Sequence, residues 1–180
     1  VSLPTLRTLA RAEGTDHAFA RYLYQQDVRC LRLAAFHIAD PALLTPSEFA
    51  FWGDGLLNSE MAEEVAFALL SRSESLPALF EAWTTPDASR LRQYAALMAA
   101  ARAPHPSPEW IASAAEAVRR AAPDDAAAAR LLAQGAVALL VVVGALNDEN
   151  RQAVLRAAGS LEPSPAAEYL RGELAWRLEP

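Results

Sequence analysis

Four arginines carry the most suggestive binding chemistry in this sequence: Arg29, Arg32, Arg90 and Arg92. A guanidinium group is planar and always charged, so it binds a carboxylate or a phosphate through two parallel hydrogen bonds. If these side chains share one ridge of the folded protein, they would grip DNA phosphates or an acidic protein partner. The alternative is that each arginine pairs with an acidic residue of a neighbouring helix.

The tryptophans are a second possible source of contacts. Trp52, Trp83, Trp110 and Trp176 are all expected to pack inside the protein, because each lies within a predicted helix among other apolar residues. Trp110 directly follows a predicted helix cap at Ser107, and we expect it to be the best exposed of the four.

Other reactive side chains are too scattered to predict a metal or cofactor site. His17, His37 and His105 lie far apart in sequence, and Cys30 is the only cysteine. There is no Gly-rich phosphate loop, no Gly-x-Ser-x-Gly elbow and no His-Glu-x-x-His pair. We therefore predict no metal and no cofactor. A lone cysteine in an apolar run favours an unreactive buried thiol and a cytoplasmic location.

Composition limits the classes of partner. The chain has 180 residues, 53% of them hydrophobic, and a formal net charge of −6. This length predicts one domain, residues 1–180, with a substantial core. The acidic balance disfavours a general nucleic-acid coat or an anionic membrane surface, although a local basic groove is compatible with it. All 16 basic residues are arginine, which is typical of a GC-rich bacterial genome.

The most apolar stretch is the segment 131–146. Its 16 residues include Gln134 and two glycines, and they are fewer than the about 20 needed to span a bilayer. No secretory signal is visible. We expect a buried core helix in a soluble protein, with no membrane as partner.

Helix start and stop signals divide the chain into short helices. Asp16, Asp27 and Asp87 are predicted N-caps. The segment 45–48, Thr-Pro-Ser-Glu, has the pattern of a capping box with proline at the first helical position. The segment 53–55, Gly-Asp-Gly, predicts a helix end, after which Asn58 or Ser59 caps the next helix. No segment alternates with the period of a strand, so the sequence predicts an all-α protein.

Weak internal repeats indicate how these helices are arranged. Superposing the segment 31–36 on the segment 91–97 aligns Arg32 with Arg92, and a similar small-residue helix, 63–70, lies halfway between them. Helix pairs that recur every 30 to 40 residues are typical of HEAT-like hairpins. The strict signature of a tetratricopeptide array is absent. We predict a right-handed α-α superhelix of about five hairpins, a HEAT- or armadillo-like solenoid closed by the final helix.

Several short motifs support a more specific comparison. They are Arg-Leu-Ala-Ala-Phe at 32–36, Asp-Pro-Ala-Leu-Leu-Thr-Pro-Ser-Glu at 40–48, Trp52 at the end of a short helix, and the Arg-bearing segment 90–96. Together they resemble the bacterial DNA alkylation repair family, the AlkD-like HEAT-repeat glycosylases. The resemblance covers about two thirds of the chain, and it implies a basic concave groove that holds DNA.

The resemblance also implies where catalytic residues would lie. In that family an Asp carboxylate and aromatic rings stabilise an oxocarbenium-like sugar while a cationic alkylated base departs. The Asp position falls on Glu63, which keeps the carboxylate on a longer arm. The second Trp position falls on Ser59, a late Trp position falls near Leu139, and a phosphate-binding Arg position falls on Gln93, beside Arg92. The aromatic wall is therefore lost, and a relative without catalysis is indicated.

Two functional hypotheses follow. The preferred one is a HEAT-like scaffold without catalysis that binds a protein or duplex DNA on its concave face. The alternative is a DNA glycosylase that removes alkylated purines with Glu63 as its carboxylate. The predicted binding residues are Arg29, Arg32, Arg90, Arg92, Gln93, Trp52 and Trp110. If the four arginines converge on the concave face, DNA binding is favoured. If Glu60, Glu63 and Glu64 dominate that face instead, DNA binding is disfavoured.

Overall fold

The computed structural model describes residues 1–123 and 126–179, and regular structure within these residues is helical throughout. Three short 3-10 turns lie at Pro41–Leu43, Pro46–Glu48 and Leu70–Arg72. The α-helices are α1 (Leu3–Glu13), α2 (His17–Tyr24), α3 (Arg29–Ile38), α4 (Phe49–Asp54), α5 (Ser59–Ala68), α6 (Leu76–Trp83), α7 (Arg90–Ala100), α8 (Trp110–Ala121), α9 (Ala126–Gly144), α10 (Asp148–Gly159) and α11 (Pro165–Arg177).

The helices form two layers. Each odd-numbered helix packs against the next odd-numbered one, from α1 through to α11, whereas among the described even-numbered helices only α8 and α10 pack closely on each other. In a curved stack the more closely spaced layer lies on the inner side, so the odd-numbered helices line the concave face. The prediction of an all-α, right-handed superhelix of about five hairpins is confirmed.

The predicted repeat length is also visible in the helix starts. The inner helices α3, α5, α7, α9 and α11 begin at Arg29, Ser59, Arg90, Ala126 and Pro165, so successive copies start 30, 31, 36 and 39 residues apart. Each inner helix follows a shorter outer helix, and the five hairpins are α2/α3, α4/α5, α6/α7, α8/α9 and α10/α11. Helix α1 precedes them and packs on α3.

Two of the predicted helix starts are made by side-chain caps as expected. Asp16 accepts a hydrogen bond from the backbone N–H of Phe19 at 3.0 Å, and Asn58 accepts one from Met61 at 2.9 Å. Helix α1 ends before Gly14, whose φ of +82° lies in the region that favours glycine.

Two other predicted caps are wrong because the helices begin later than the aspartates. Val28 precedes α3 without a side-chain cap, and the Asp27 carboxylate lies 3.6 Å from the guanidinium of Arg32 instead. Ser89, rather than Asp87, caps α7. A capping oxygen must reach the free N–H groups of the first turn, so an offset of one or two residues removes the contact.

The predicted capping box at 45–48 is wrong as well, although a helix does follow it. Pro46–Glu48 forms a 3-10 turn before α4, and Thr45 makes no capping hydrogen bond. The Glu48 carboxylate is instead bound by His17 and by Arg21, two residues of α2. The Glu48 carboxylate thus pairs with residues of another helix, whereas the local pattern predicted a hydrogen bond within its own helix.

Helix α9 is the longest inner helix and lies between α7 and α11. It begins before the apolar segment 131–146 and has 19 residues, so by length and composition it could cross a bilayer. More than half of its most apolar window, 56%, is buried inside the protein, as in the core helix that the sequence predicts. Leu139 and Leu140 at its centre are fully buried.

Candidate functional site

A cavity of about 350 Å³ opens on the concave face where α1, α5 and α7 meet. We call it the α1–α5–α7 cavity. Its lining residues come from these three helices and the residue pair that follows α7: Leu3, Arg7, Glu60, Glu63, Glu64, Phe67, Met98 and Arg102. Its volume lies near the lower end of the range of about 300–1,000 Å³ that is typical of small-ligand sites.

Helix α5 supplies most of the polar lining because of its spacing. Glu60, Glu63, Glu64 and Phe67 recur at intervals of three and four residues, so they lie along one side of a helix whose other side is buried in the core. The cap at Asn58 fixes where this helix begins. The sequence of α5 therefore determines which side chains enter the cavity.

Glu63, the predicted carboxylate, is exposed in this cavity and is held by one hydrogen bond. The hydroxyl of Tyr94 in α7 donates to Glu63 Oε1 at 2.5 Å. Burial, together with this hydrogen bond, raises the pKa of the Tyr94 hydroxyl above its ordinary value. The neutral phenol thus remains a donor, and it orients a carboxylate whose second oxygen accepts no hydrogen bond from the described residues.

Glu64 is buried beside Glu63 and joins three helices. Arg7 of α1 donates to both of its oxygens at 2.9 Å, and Nε2 of His37 in α3 lies 2.5 Å from Oε1. Burial alone would raise the pKa of this carboxyl, but the hydrogen bonds from His37 and Arg7 outweigh it and lower the pKa to about 2. Glu64 is therefore a charged structural tie rather than a free acid.

Phe67 is the aromatic side chain of the cavity, and 42% of it is exposed. The Arg102 guanidinium lies 4.5 Å from its ring centroid and that of Arg7 lies 5.5 Å away, both at cation–π distance. This cluster could not be predicted from the sequence, because Arg7 and Arg102 come from segments far from α5 in the chain. The only local signal was the four-residue spacing from Glu63 to Phe67.

The four predicted arginines do not converge on one ridge. Arg29 donates from Nε and Nη2, one edge of its guanidinium, to the two oxygens of Glu60 at 2.7 and 2.9 Å, and this pairing lowers the pKa of the Glu60 carboxyl. Arg32 donates to the carbonyl of Gly55 at 3.0 Å, and Arg92 pairs with Asp54.

The Gly-Asp-Gly segment at 53–55 explains the positions of two of these arginines. Arg32 from α3 and Arg92 from α7 reach this segment from its two sides and tie the short helix α4 to the inner layer. A Cβ added at Gly53 would overlap the Arg92 guanidinium, and one at Gly55 would overlap the ring of Tyr24. The ring of Tyr24 is buried and cannot easily move, so Gly55 is required by this close approach, whereas the Arg92 guanidinium is the end of a flexible side chain that can move away from residue 53.

Arg90 and Gln93 lie apart from the α1–α5–α7 cavity, at the start of α7. Both line a smaller cavity of about 200 Å³ together with Arg120 of α8. Gln93 is buried; its side-chain amide donates to the carbonyl of Ala88 at 2.8 Å and its oxygen accepts from Arg120 at 3.3 Å. The side-chain nitrogen and oxygen of Gln93 are thus both hydrogen-bonded within the protein.

The tryptophans differ from the expectation in two respects: Trp110 is not the best exposed of them, and Trp176 does not pack inside the protein. Trp52 is fully buried against Tyr24, with ring centroids 4.7 Å apart. Trp110 is partly buried because it packs on Phe80 at 5.1 Å, so the prediction that it is the best exposed tryptophan is wrong. Trp176, on α11, is 74% exposed and holds that position instead.

The remaining positions that the resemblance assigned offer no aromatic wall. Ser59 is the exposed first residue of α5, and Leu139 is fully buried in α9. The aromatic side chains near Glu63 are Phe67 and Tyr94 instead. Among residues 1–123 and 126–179, no group of three or more His, Cys, Asp or Glu side chains is arranged to hold a metal ion.

Comparison with known proteins adds one likeness in structure. No protein family model and no curated protein matches the chain. One solved structure does, and its protein is described as part of a new family of proteins related to the HEAT-like repeat DNA glycosylases with affinity for branched DNA structures. The two chains share 18% sequence identity, the TM-score is 0.71, and the match covers 99% of this chain and 82% of that one. This chain therefore has a HEAT-like repeat fold.

Proposed function

We propose that this protein is a HEAT-like scaffold that binds branched DNA on its concave face and performs no catalysis. The observation that carries the proposal is the likeness in fold, along 99% of the chain, to a protein described as having affinity for branched DNA structures. Fold alone does not determine a ligand. The side chains of the concave face must therefore also be compatible with branched DNA.

The charge distribution argues against an extended duplex as the preferred ligand. Duplex affinity comes mainly from many phosphate contacts made by uncommitted basic residues. Here Arg29 and Arg92 are engaged by Glu60 and Asp54, Arg32 binds a backbone carbonyl, and the formal net charge is −6. Glu60, Glu63 and Glu64 all line the α1–α5–α7 cavity and the four arginines do not converge, which is the outcome expected to disfavour DNA. We therefore expect weak binding to plain duplex DNA and confine the proposal to a branch point.

A branch point needs fewer charges. It brings phosphates of separate strands close to one place and exposes base faces that are stacked in a duplex. Arg102 is exposed at the rim of the α1–α5–α7 cavity, and Phe67 offers an accessible ring inside it. One exposed guanidinium and one stacking surface are suited to such a local ligand.

The absence of catalysis is inferred from the surroundings of Glu63. A glycosylase that stabilises a cationic sugar needs an aromatic wall beside its carboxylate. The position four residues before Glu63 is Ser59, and the late position is the buried Leu139. Trp52 is fully buried, so it does not replace the missing aromatic side chain.

The test is a fluorescence anisotropy titration with a four-way junction, a flap and a duplex of equal length. Each titration is repeated at salt concentrations between about 20 and about 200 mM. We expect junction and flap to bind at low-micromolar Kd or tighter and roughly tenfold tighter than duplex. Because few arginines are uncommitted, the plot of log K against log salt should have a slope of about −2 or shallower. Equal affinity for duplex and junction would contradict the branched-DNA proposal.

A matched pair of variants locates the binding face. Arg102→Gln is expected to weaken junction binding about fivefold to tenfold, since it removes one charge-assisted contact. Arg156→Gln removes an exposed arginine from α10, in the outer layer, and should leave binding unchanged. No binding of any DNA at low salt would point to a protein as the partner.

The alternative, removal of alkylated purines, is favoured by one observation. Glu63 lies in a concave cavity, oriented by Tyr94 and four residues from an exposed phenylalanine. Incubation with methylated duplex DNA should release methylated purine if this alternative is correct, and Glu63→Gln should abolish the release. Absence of release by the unmodified protein at DNA-saturating concentration would support the scaffold.

A further inference from the structure

We propose that the α1–α5–α7 cavity receives one unpaired base at the branch point, and that Glu63 makes it prefer guanine over thymine. This inference rests on the proposed binding of branched DNA. It assigns a ligand, a specificity and two residues, Phe67 and Glu63, to a cavity of defined volume.

The first observation is the position of Phe67. This ring is 42% exposed within a cavity lined by carboxylates and guanidinium groups, so its packing contributes little to the stability of the fold. A nucleobase is a flat apolar surface edged by polar groups, so stacking on Phe67 would cover the ring and leave the base edge facing the charged lining. Such stacking contributes roughly 1–3 kcal/mol per base in single-strand-binding proteins.

The second observation is that the two arginines beside the ring are held differently. Arg7 is held in place by two hydrogen bonds to the buried Glu64, so it forms a fixed wall. Arg102 is exposed, and it follows α7 at the rim of the cavity, with its guanidinium 4.5 Å from the Phe67 centroid. An entering base would displace Arg102 outward, where its charge can meet the phosphate of the same nucleotide.

The third observation concerns the acceptor at the cavity floor. Tyr94 donates to Oε1 of Glu63 and fixes the carboxylate, while Oε2 receives no hydrogen bond from the described part of the chain. Guanine presents two adjacent donors, N1–H and N2–H₂, on the edge that an unpaired base exposes. Thymine presents N3–H between two carbonyl oxygens, which a carboxylate repels. The cavity should therefore accept guanine best and thymine worst.

The experiment uses a three-way DNA junction with a single unpaired nucleotide at the branch, which is dG, dA, dC or dT in four otherwise identical probes. For the unmodified protein we expect the dG probe to bind about tenfold more tightly than the dT probe, with dA and dC between them. A fluorescent 2-aminopurine at the same position should be quenched on binding, because it would stack on Phe67.

Two variants and two controls separate the roles. Phe67→Ala should weaken binding of all four probes about fivefold or more and remove the quenching. Glu63→Gln should keep binding but abolish the preference for dG over dT, because a neutral amide can donate to thymine. Tyr22→Ala and Glu81→Gln change an exposed aromatic and an exposed carboxylate of the outer helices α2 and α6, and neither should alter the preference.

The two proposals fail in different ways. If the unmodified protein binds no junction, the proposed function is overturned and this inference with it. If it binds junctions but holds all four probes equally, or if Phe67→Ala binds as tightly as the unmodified protein, the base-binding inference is wrong while junction binding stands. Because Phe67 and Glu63 are exposed, both variants should fold, and circular dichroism checks that they do.

Discussion

Glu64 is the most constrained charged residue among those described. It is 3% exposed and the only acidic or basic residue in the buried set of the described chain. Arg7 and His37 hold its pKa at about 2, compared with an ordinary value of 4.5. Since the unfolded chain binds a proton that the folded chain does not between these two values, Glu64 stabilises the fold fully above about pH 4.5. That contribution is lost as the pH falls toward 2.

Replacing this carboxylate gives the first prediction at residue scale. Glu64→Gln should lower the free energy of unfolding at pH 7 by about 2–3 kcal/mol, because it removes a buried charge pair while leaving Arg7 partly solvated. Urea unfolding monitored by circular dichroism at pH 7, 4 and 3 measures the difference. The gap between the unmodified protein and the variant should shrink as the pH falls through the interval from 4.5 to 2.

The control is Glu81→Gln, an exposed carboxylate on α6, for which we expect a change of less than about 0.5 kcal/mol. A gap that stays constant from pH 7 to pH 3 would show that folding does not lower the pKa of the Glu64 carboxyl.

Residues whose partners are close in sequence could be predicted, and those with distant partners could not. Asp16 and Asn58 cap their helices through atoms three residues away, so their roles follow from a local pattern. Arg7 and Glu64 are 57 residues apart, and only the fold brings them together. Glu63 was identified from a resemblance, and its role stays a prediction, whereas nothing in the sequence pointed to Phe67.

At the scale of helices, one glycine shows how closely two inner helices approach. Gly135 of α9 faces α7, and a Cβ built there would lie 3.1 Å from the ring of Tyr94 and 3.2 Å from Cβ of Leu97. Since the Leu97 Cβ is attached directly to the backbone, it cannot move aside without moving α7. Helices α7 and α9 can therefore approach this closely only because residue 135 has no side chain.

Two glycine substitutions should act in opposite directions. Gly135→Ala is expected to destabilise the protein by about 1–2 kcal/mol, because the added methyl group pushes α7 and α9 apart. Gly172→Ala, in the exposed face of α11 with nothing within 4 Å of the new Cβ, should stabilise it by about 0.5–1 kcal/mol. Thermal and urea unfolding measure both. Equal effects of the two substitutions would mean that the α7–α9 contact is looser than described.

The existence of the helices could be predicted more reliably than their starts. The glycine-containing stop at 53–55 indicated where α4 ends, and the apolar run 131–146 indicated α9, since these signals extend over several residues. The capping assignments at Asp27, Asp87 and Glu48 failed, because each depends on one side chain that another partner or a later start can claim. A carboxylate near a helix start can pair with an arginine of another helix instead of capping its own helix.

For the whole molecule, a weak repeat of 30 to 40 residues was sufficient to predict the architecture. The inner helices recur at this interval, because each hairpin buries its apolar face against the next copy. The site could not be predicted in the same way. The α1–α5–α7 cavity combines side chains from helices that are far apart in the chain. Repeat patterns constrain the packing face of each helix but leave its open face free to vary.

The same stacked architecture predicts an uneven distribution of stability. In a solenoid each repeat is stabilised by its neighbours, so a helix with neighbours on both sides opens less readily than a terminal one. Helix α9 packs on α7, α8, α10 and α11, whereas the close packing of α1 within the described residues is with α3 alone. Amide hydrogen exchange measured by mass spectrometry should therefore find α1 the least protected of the odd-numbered helices and α9 the most protected.

The Arg7–Glu64 ion pair is the tie that joins α1 to α5, beyond its packing on α3. Glu64→Gln should consequently accelerate exchange in α1 by about tenfold or more while changing α9 and α11 little, because local opening of α1 no longer breaks a buried charge pair. Gly172→Ala, which touches no residue of α1, serves as the control and should leave exchange in α1 as it is. If Glu64→Gln accelerates exchange equally in α1 and α9, then the helices open as one cooperative unit and the nearest-neighbour account of this solenoid is wrong.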